Sequence, residues 1–104
     1  MSHELEIVHV KTGDIMGYMK LPLRIDGNPT SGWVIQQIVE SLAGYEALVA
    51  CMELKDAMGW FHRMVFQTKH TARDMVIWKD IWDKLEIFEQ TLSENEGCVV
   101  LLSK

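Results

Sequence analysis

The residues from 73 to 95 constrain the fold more than any other part of the chain, because their apolar side chains recur at the spacing of one long amphipathic helix. At about 100° per residue, the apolar positions that share one face are Ile77, Trp78, Ile81, Leu85, Phe88 and Leu92. Ahead of this face, Thr71 and Asp74 have the spacing of a capping box, and Gly97 is placed to end the helix. The segment therefore predicts one helix that is apolar toward a sheet and negative toward solvent.

Two strands are predicted at the N-terminus. Residues 4–10 are rich in β-branched side chains, and residues 15–25 alternate with period two, which is typical of a strand with one buried face. The alternate residues expected on that buried face are Ile15, Met19, Leu21, Leu23 and Ile25. Gly13 separates the two strands, so we expect an antiparallel hairpin. Pro22 cannot donate a ladder hydrogen bond, so this part of the second strand is expected to be an edge or a bend.

The middle of the chain begins with a predicted helix. Residues 31–43 carry apolar side chains at helical spacing, with Thr30 or Ser31 as the cap and Gly44 in the left-handed position that follows many helices. The apolar run from 45 to 54 fits either a buried strand or a second helix.

The aromatic residues from 60 to 66 favour strands, because such residues are enriched in sheets. With 55–59 as a loop, 45–54 and 60–66 are expected to form a second hairpin, and 98–102 a last buried strand. The predicted order is ββ-α-ββ-α-β. The fold class is therefore α+β: a single small domain over 1–104, with a mostly antiparallel sheet and two helices packed against it.

The negative charge is concentrated in one segment. The formal net charge is −5, and residues 74–96 hold seven acidic residues against two lysines, so this segment accounts for the whole excess. The chain lacks the clustered Lys and Arg that neutralise phosphate, which argues against direct nucleic-acid binding. An acidic face instead favours a protein partner with a basic surface.

The sequence contains no motif for phosphate, nucleotide or metal binding and no run of about 18 apolar residues, so we expect no cofactor, no metal and no membrane contact. Cys51 and Cys98 lie far apart in the chain, outside any pattern of zinc ligands. They are expected to be buried, reduced thiols of a cytoplasmic protein, with a disulfide between them as the alternative.

The candidate partner-binding residues lie on the charged face of the C-terminal helix. Val76 and Ile87 are eleven positions apart, which is close to three full turns, so they nearly eclipse each other along the axis. Asp80, Asp83 and Glu94 surround them. An apolar centre within a charged rim is typical of a protein interface. The alternatives are that these are ordinary isolated surface hydrophobes, or that a loop of the same chain covers them.

These features favour a binding protein over an enzyme. The chain is predicted to be a small acidic protein-binding module that acts as an inhibitor or antagonist, of the immunity, antitoxin or phage anti-defence type, of a macromolecular partner with a basic surface. Four Trp and seven Met are a heavy load of large side chains for 104 residues, so we also expect a homodimer. It would form through the edge of the N-terminal hairpin or through a helix face.

Two other functions remain open. The first is a small enzyme or ligand-binding domain, in which Cys51 lies across the second hairpin from His62 and a pocket is lined by Trp33, Trp60 and Trp78. The second is a structural subunit whose surface is an interface for homo-oligomers.

Overall fold

The structure is a computed structural model that describes residues 2–22, 24–25, 28–65 and 72–103. It is a small α+β domain, as predicted, but the order of its elements differs from the predicted one. The elements in chain order are β1 (Ser2–His9), β2 (Ile15–Pro22), β3 (Arg24–Ile25), β4 (Asn28–Pro29), α1 (Ser31–Leu42), α2 (Ala47–Val65), α3 (Ala72–Ser93) and β5 (Cys98–Ser103).

A three-stranded antiparallel sheet with the order β2-β1-β5 forms one layer. The central strand places Leu5 opposite Met19 and Leu102, and Ile7 opposite Gly17 and Val100. The side chains of this face are buried against the three helices; they include Leu5, Ile7, Met19, Leu21, Cys98 and Val100. The predicted N-terminal hairpin and last strand are confirmed, and β2 is an edge strand of this sheet, as Pro22 indicated.

A β-bulge reverses part of the predicted strand pattern. The register shifts between Ile7 and Val8, which pair with Gly17 and Ile15, so Met16 is the extra residue. Met16 turns toward the core, whereas Ile15 is 59% exposed. The prediction that Ile15 lies on the buried face is therefore wrong.

The predicted strand 15–25 is also shorter than expected. It ends at Pro22, and Ile25 belongs to the separate strand β3, which pairs with β4. Leu23 lies outside the described residues.

Helix α1 occupies almost the predicted range, and Gly44 has the expected left-handed φ of 86°. Its cap differs from the prediction. The Thr30 hydroxyl donates to the carbonyl of Pro22, and the amide of Ser31 donates to the carboxylate of Asp74 at 2.6 Å. The start of α1 is thus capped by a residue of α3.

One continuous helix, α2, replaces the predicted second hairpin. Over residues 47–63, where burial is described, the buried side chains of this helix are Ala47, Ala50, Cys51, Leu54 and Met58. Their spacing of three and four is that of a helix face and does not fit the alternation of a strand. The strand predictions for 45–54 and 60–66, and the loop prediction for 55–59, are therefore wrong. The described residues thus form three helices rather than the predicted two.

Helix α3 is a single helix of 22 residues, as predicted. Ile81, Leu85, Phe88 and Leu92 are buried, and the earlier part of the same face is half-buried. The Phe88 ring lies directly over Gly17 of β2, where a Cβ would overlap it. Thr71, the first residue of the predicted capping box, lies outside the described residues. No helix within the described ranges is long and apolar enough to span a membrane.

Candidate partner-binding surface

All five predicted partner-binding residues are exposed: Val76, Asp80, Asp83 and Ile87 lie on the side of α3 that faces away from the core, and Glu94 follows the last residue of the helix. We call Val76, Asp80, Asp83, Ile87 and Glu94 the α3 stripe. Val76 is 68% exposed and Ile87 is 59% exposed, and helix geometry separates them by about 16 Å along the axis. The three carboxylates are exposed as well, but only those of Asp80 and Asp83 lie on the helix, because α3 ends at Ser93.

The two aspartates of the α3 stripe are paired with lysines of the same helix. Asp83 lies 3.1 Å from Lys79, and Asp80 lies 3.5 Å from Lys84. Both pairs are exposed and span one turn, and such pairs contribute only about 0.3–0.5 kcal/mol each. A lysine or arginine from a partner can therefore replace either internal lysine at little cost.

An aromatic cluster joins the other flank of α3 to α2. The Trp78 and Trp82 rings stack at 5.3 Å, and the His62 ring lies 4.6 Å from Trp78. The Lys55 amine lies 5.2 Å from the centre of the Trp82 ring and 3.1 Å from Glu89. These contacts bind the two helices together.

The sequence-based interpretation missed this cluster because it placed Lys55 in a loop and His62 in a strand. The signal that could have revealed it is their spacing of seven residues, which puts both side chains on one helix face.

The proposed pairing of Cys51 with His62 does not occur across a hairpin, because both residues belong to α2. Cys51 is buried, and His62 is exposed against Trp78. Burial raises the pKa of the Cys51 thiol to about 12; the negative charge of Glu89 also raises it, and Lys55 acts in the opposite direction. A thiol with this pKa is protonated near neutral pH and is a poor nucleophile. Both Cys51 and Cys98 are free thiols, so the disulfide alternative is wrong.

The described residues show no pocket that Trp33, Trp60 and Trp78 line together. Trp33 and Trp60 are exposed on different helices, and Trp78 belongs to the aromatic cluster. A cavity of about 10 Å³ lies in the core instead, with room for one water at most. Its lining residues are Leu5, Val39, Leu42, Ala50, Cys51, Leu54, Leu85 and Val100. Among the described residues, no three His, Cys, Asp or Glu side chains are placed to hold a metal ion.

No protein-family model, curated protein or solved structure matches this chain. A function therefore has to be inferred from the surface of the molecule.

Proposed function

We propose that this protein is a binding module that inhibits or antagonises a protein partner, and that the α3 stripe contacts a basic surface of that partner. The observation that supports this most is the exposure of Val76 and Ile87, three turns apart, with Asp80 and Asp83 between them. The stripe thus offers two apolar anchors and two carboxylates along one line of a rigid helix.

The anchors and the charges have different roles. Burying a Val or Ile side chain contributes about 1.5–3 kcal/mol, so Val76 and Ile87 supply affinity once a partner covers them. The carboxylates of Asp80, Asp83 and Glu94 steer a basic partner toward the stripe and fix its register. Immunity proteins, antitoxins and phage anti-defence proteins are classes of small inhibitor in which such a surface would block a basic functional site.

The location and oligomeric state belong to the same proposal. Two buried free thiols support a cytoplasmic protein, because oxidising compartments favour disulfides. The edge position of β2 supports a homodimer in which two β2 strands pair, since an edge strand offers unpaired backbone groups.

The test combines capture and charge reversal. The partner is captured from the native host with the full chain, identified by mass spectrometry, and titrated with the wild type and with D80K/D83K. We expect the variant to keep its helical content and to lose at least about tenfold in affinity, with a weaker dependence on salt.

A matched control separates the stripe from net charge. The D14K/E46K variant changes the charge by the same amount at two exposed residues outside α3. We expect it to bind the partner almost as tightly as the wild type does. Equal affinity of D80K/D83K and the wild type for the partner would show that the α3 stripe is not part of the interface.

A further inference from the structure

The outer face of α2 carries the same arrangement as the α3 stripe. Val49, Glu53, Asp56 and Trp60, which we call the α2 stripe, follow the spacing 4, 3, 4 that also separates Val76, Asp80, Asp83 and Ile87. Each set reads apolar, acidic, acidic, apolar. The match is visible only in the structure, because the sequence pattern had placed Val49 and Trp60 in strands.

The α2 stripe lies opposite the buried face of its helix. Trp60 is 65% exposed and Val49 is 39% exposed, and both Glu53 and Asp56 are exposed. Helix geometry places the four residues within about 60° of arc and separates Val49 from Trp60 by about 16 Å. Tryptophan is one of the residue types enriched among interface hot spots.

The carboxylates of the α2 stripe have no internal counter-ion in the part of the chain that the structure describes. Lys55 stands between Glu53 and Asp56 in sequence, but its amine turns to Glu89 of α3 at 3.1 Å. Asp80 and Asp83, in contrast, each pair with a lysine of α3. Two carboxylates without an ion pair among the described residues therefore lie between Val49 and Trp60 on this face of α2.

We propose that the α2 stripe is a second docking surface and that it binds a basic amphipathic α-helix. Apolar residues of that helix pack against Val49 and Trp60, and its lysines or arginines face Glu53 and Asp56. The spacing 4, 3, 4 is the seam along which two helices pair, and the two carboxylates require cations at the matching positions of the bound helix. This inference rests on the proposed function only for the basic character of the partner.

The two stripes cannot contact one helix at the same time. The α2–α3 contact is made by Lys55 and His62 on one helix and by Trp78, Trp82 and Glu89 on the other. On each helix the stripe lies about 100° of arc or more away from these contact residues. The two surfaces diverge, so each protein molecule binds two helices.

The test uses a synthetic peptide and the full-length chain. The probe is a helical peptide of about three heptads, with leucines eleven residues apart and lysines at the two seam positions between them. Isothermal titration calorimetry measures its stoichiometry and affinity. We expect two peptides per wild-type protein, and one per protein for either E53K/D56K or D80K/D83K. A peptide of the same composition in scrambled order is expected to bind at least about tenfold more weakly.

The outcomes separate this inference from the proposed function. Loss of one site in E53K/D56K with no change in D80K/D83K supports the α2 stripe and shows that the α3 stripe does not bind this peptide. The reverse result contradicts the α2 stripe alone. Failure of the peptide to bind the wild type, or equal binding of the scrambled peptide, overturns the α2 stripe as a helix-binding surface, whereas the proposed function fails only if D80K/D83K binds the captured partner as tightly as the wild type does.

A variant that leaves the charge unchanged guards against misfolding caused by charge reversal. Trp60→Ala removes an exposed side chain, and we expect it to keep the helical content of the wild type and to weaken the α2 site by about tenfold or more. Unchanged affinity of both sites in this folded variant contradicts the role of Trp60.

Discussion

The carboxylate of Asp74 accepts a hydrogen bond from the backbone amide of Ser31 at 2.6 Å, so one side chain in the first turn of α3 caps the first residue of α1. Both residues are buried. The amides at the start of a helix have no partner within the helix, and the helix dipole makes this end positive. One carboxylate thus stabilises α1 and fixes the position of α3 relative to it.

Asp74→Ala is expected to lower the free energy of unfolding by about 2 kcal/mol, because it removes a helix cap and leaves a buried amide without its acceptor. Urea unfolding followed by circular dichroism measures this loss. A change below about 0.5 kcal/mol, the size of an ordinary surface effect, would show that this hydrogen bond does not hold the helices together.

Leu85→Ala tests the orientation of α3. Leu85 is fully buried, so the free energy of unfolding should fall by about 2–5 kcal/mol. Ile87→Ala is the matched control on the opposite side of the helix, and it should change stability by less than about 0.5 kcal/mol. Equal losses in the two variants would mean that Ile87 is covered within this chain.

The Cys51 thiol is expected to make stability depend on alkaline pH. Its folded pKa of about 12 is above the ordinary value of 9.0, so the folded state keeps a proton that the unfolded state releases. The stabilisation is complete below pH 9 and is lost as the pH rises toward 12. Urea unfolding of the wild type and of Cys51→Ala across this range isolates the effect from that of other groups. Parallel pH profiles for the two proteins would contradict the raised pKa.

Gly17→Ala tests the close packing of β2 against α3. The added methyl group overlaps the Phe88 ring, and such overpacking costs about 1–3 kcal/mol. We expect the double variant G17A/F88L to lose less stability than the sum of the single variants, because the smaller side chain leaves room for the methyl group. Additive losses of stability would show that the destabilisation by G17A does not arise from contact with the Phe88 ring.

The sequence predicted α3 well because its apolar pattern repeats over the whole length of the helix. It predicted α2 poorly because Gly59 and the aromatic residues that follow it resemble a loop and a strand, although the spacing of Cys51, Leu54 and Met58 already indicated a helix face. The Asp74–Ser31 hydrogen bond joins residues 43 positions apart, and no local pattern encodes such a contact.

The exposure of the helical residues of the α3 stripe could be predicted from the sequence, because helix periodicity places them opposite the apolar face. The ion pairs of Asp80 and Asp83 could also have been inferred, since both lysines stand four positions away on the same helix. The bulge that exposes Ile15 could not be inferred from alternation, and its only signal was Gly17 inside the strand. The α2 stripe depended on the correct assignment of its helix.

Amide chemical shifts of the labelled protein, recorded while the captured partner is added, test the partner-binding role of α3 most directly. We expect the largest changes at Val76, Asp80, Asp83 and Ile87, with little change at the sheet residues Glu6 and Tyr18. Changes confined to the sheet, with the α3 resonances unmoved, would contradict it.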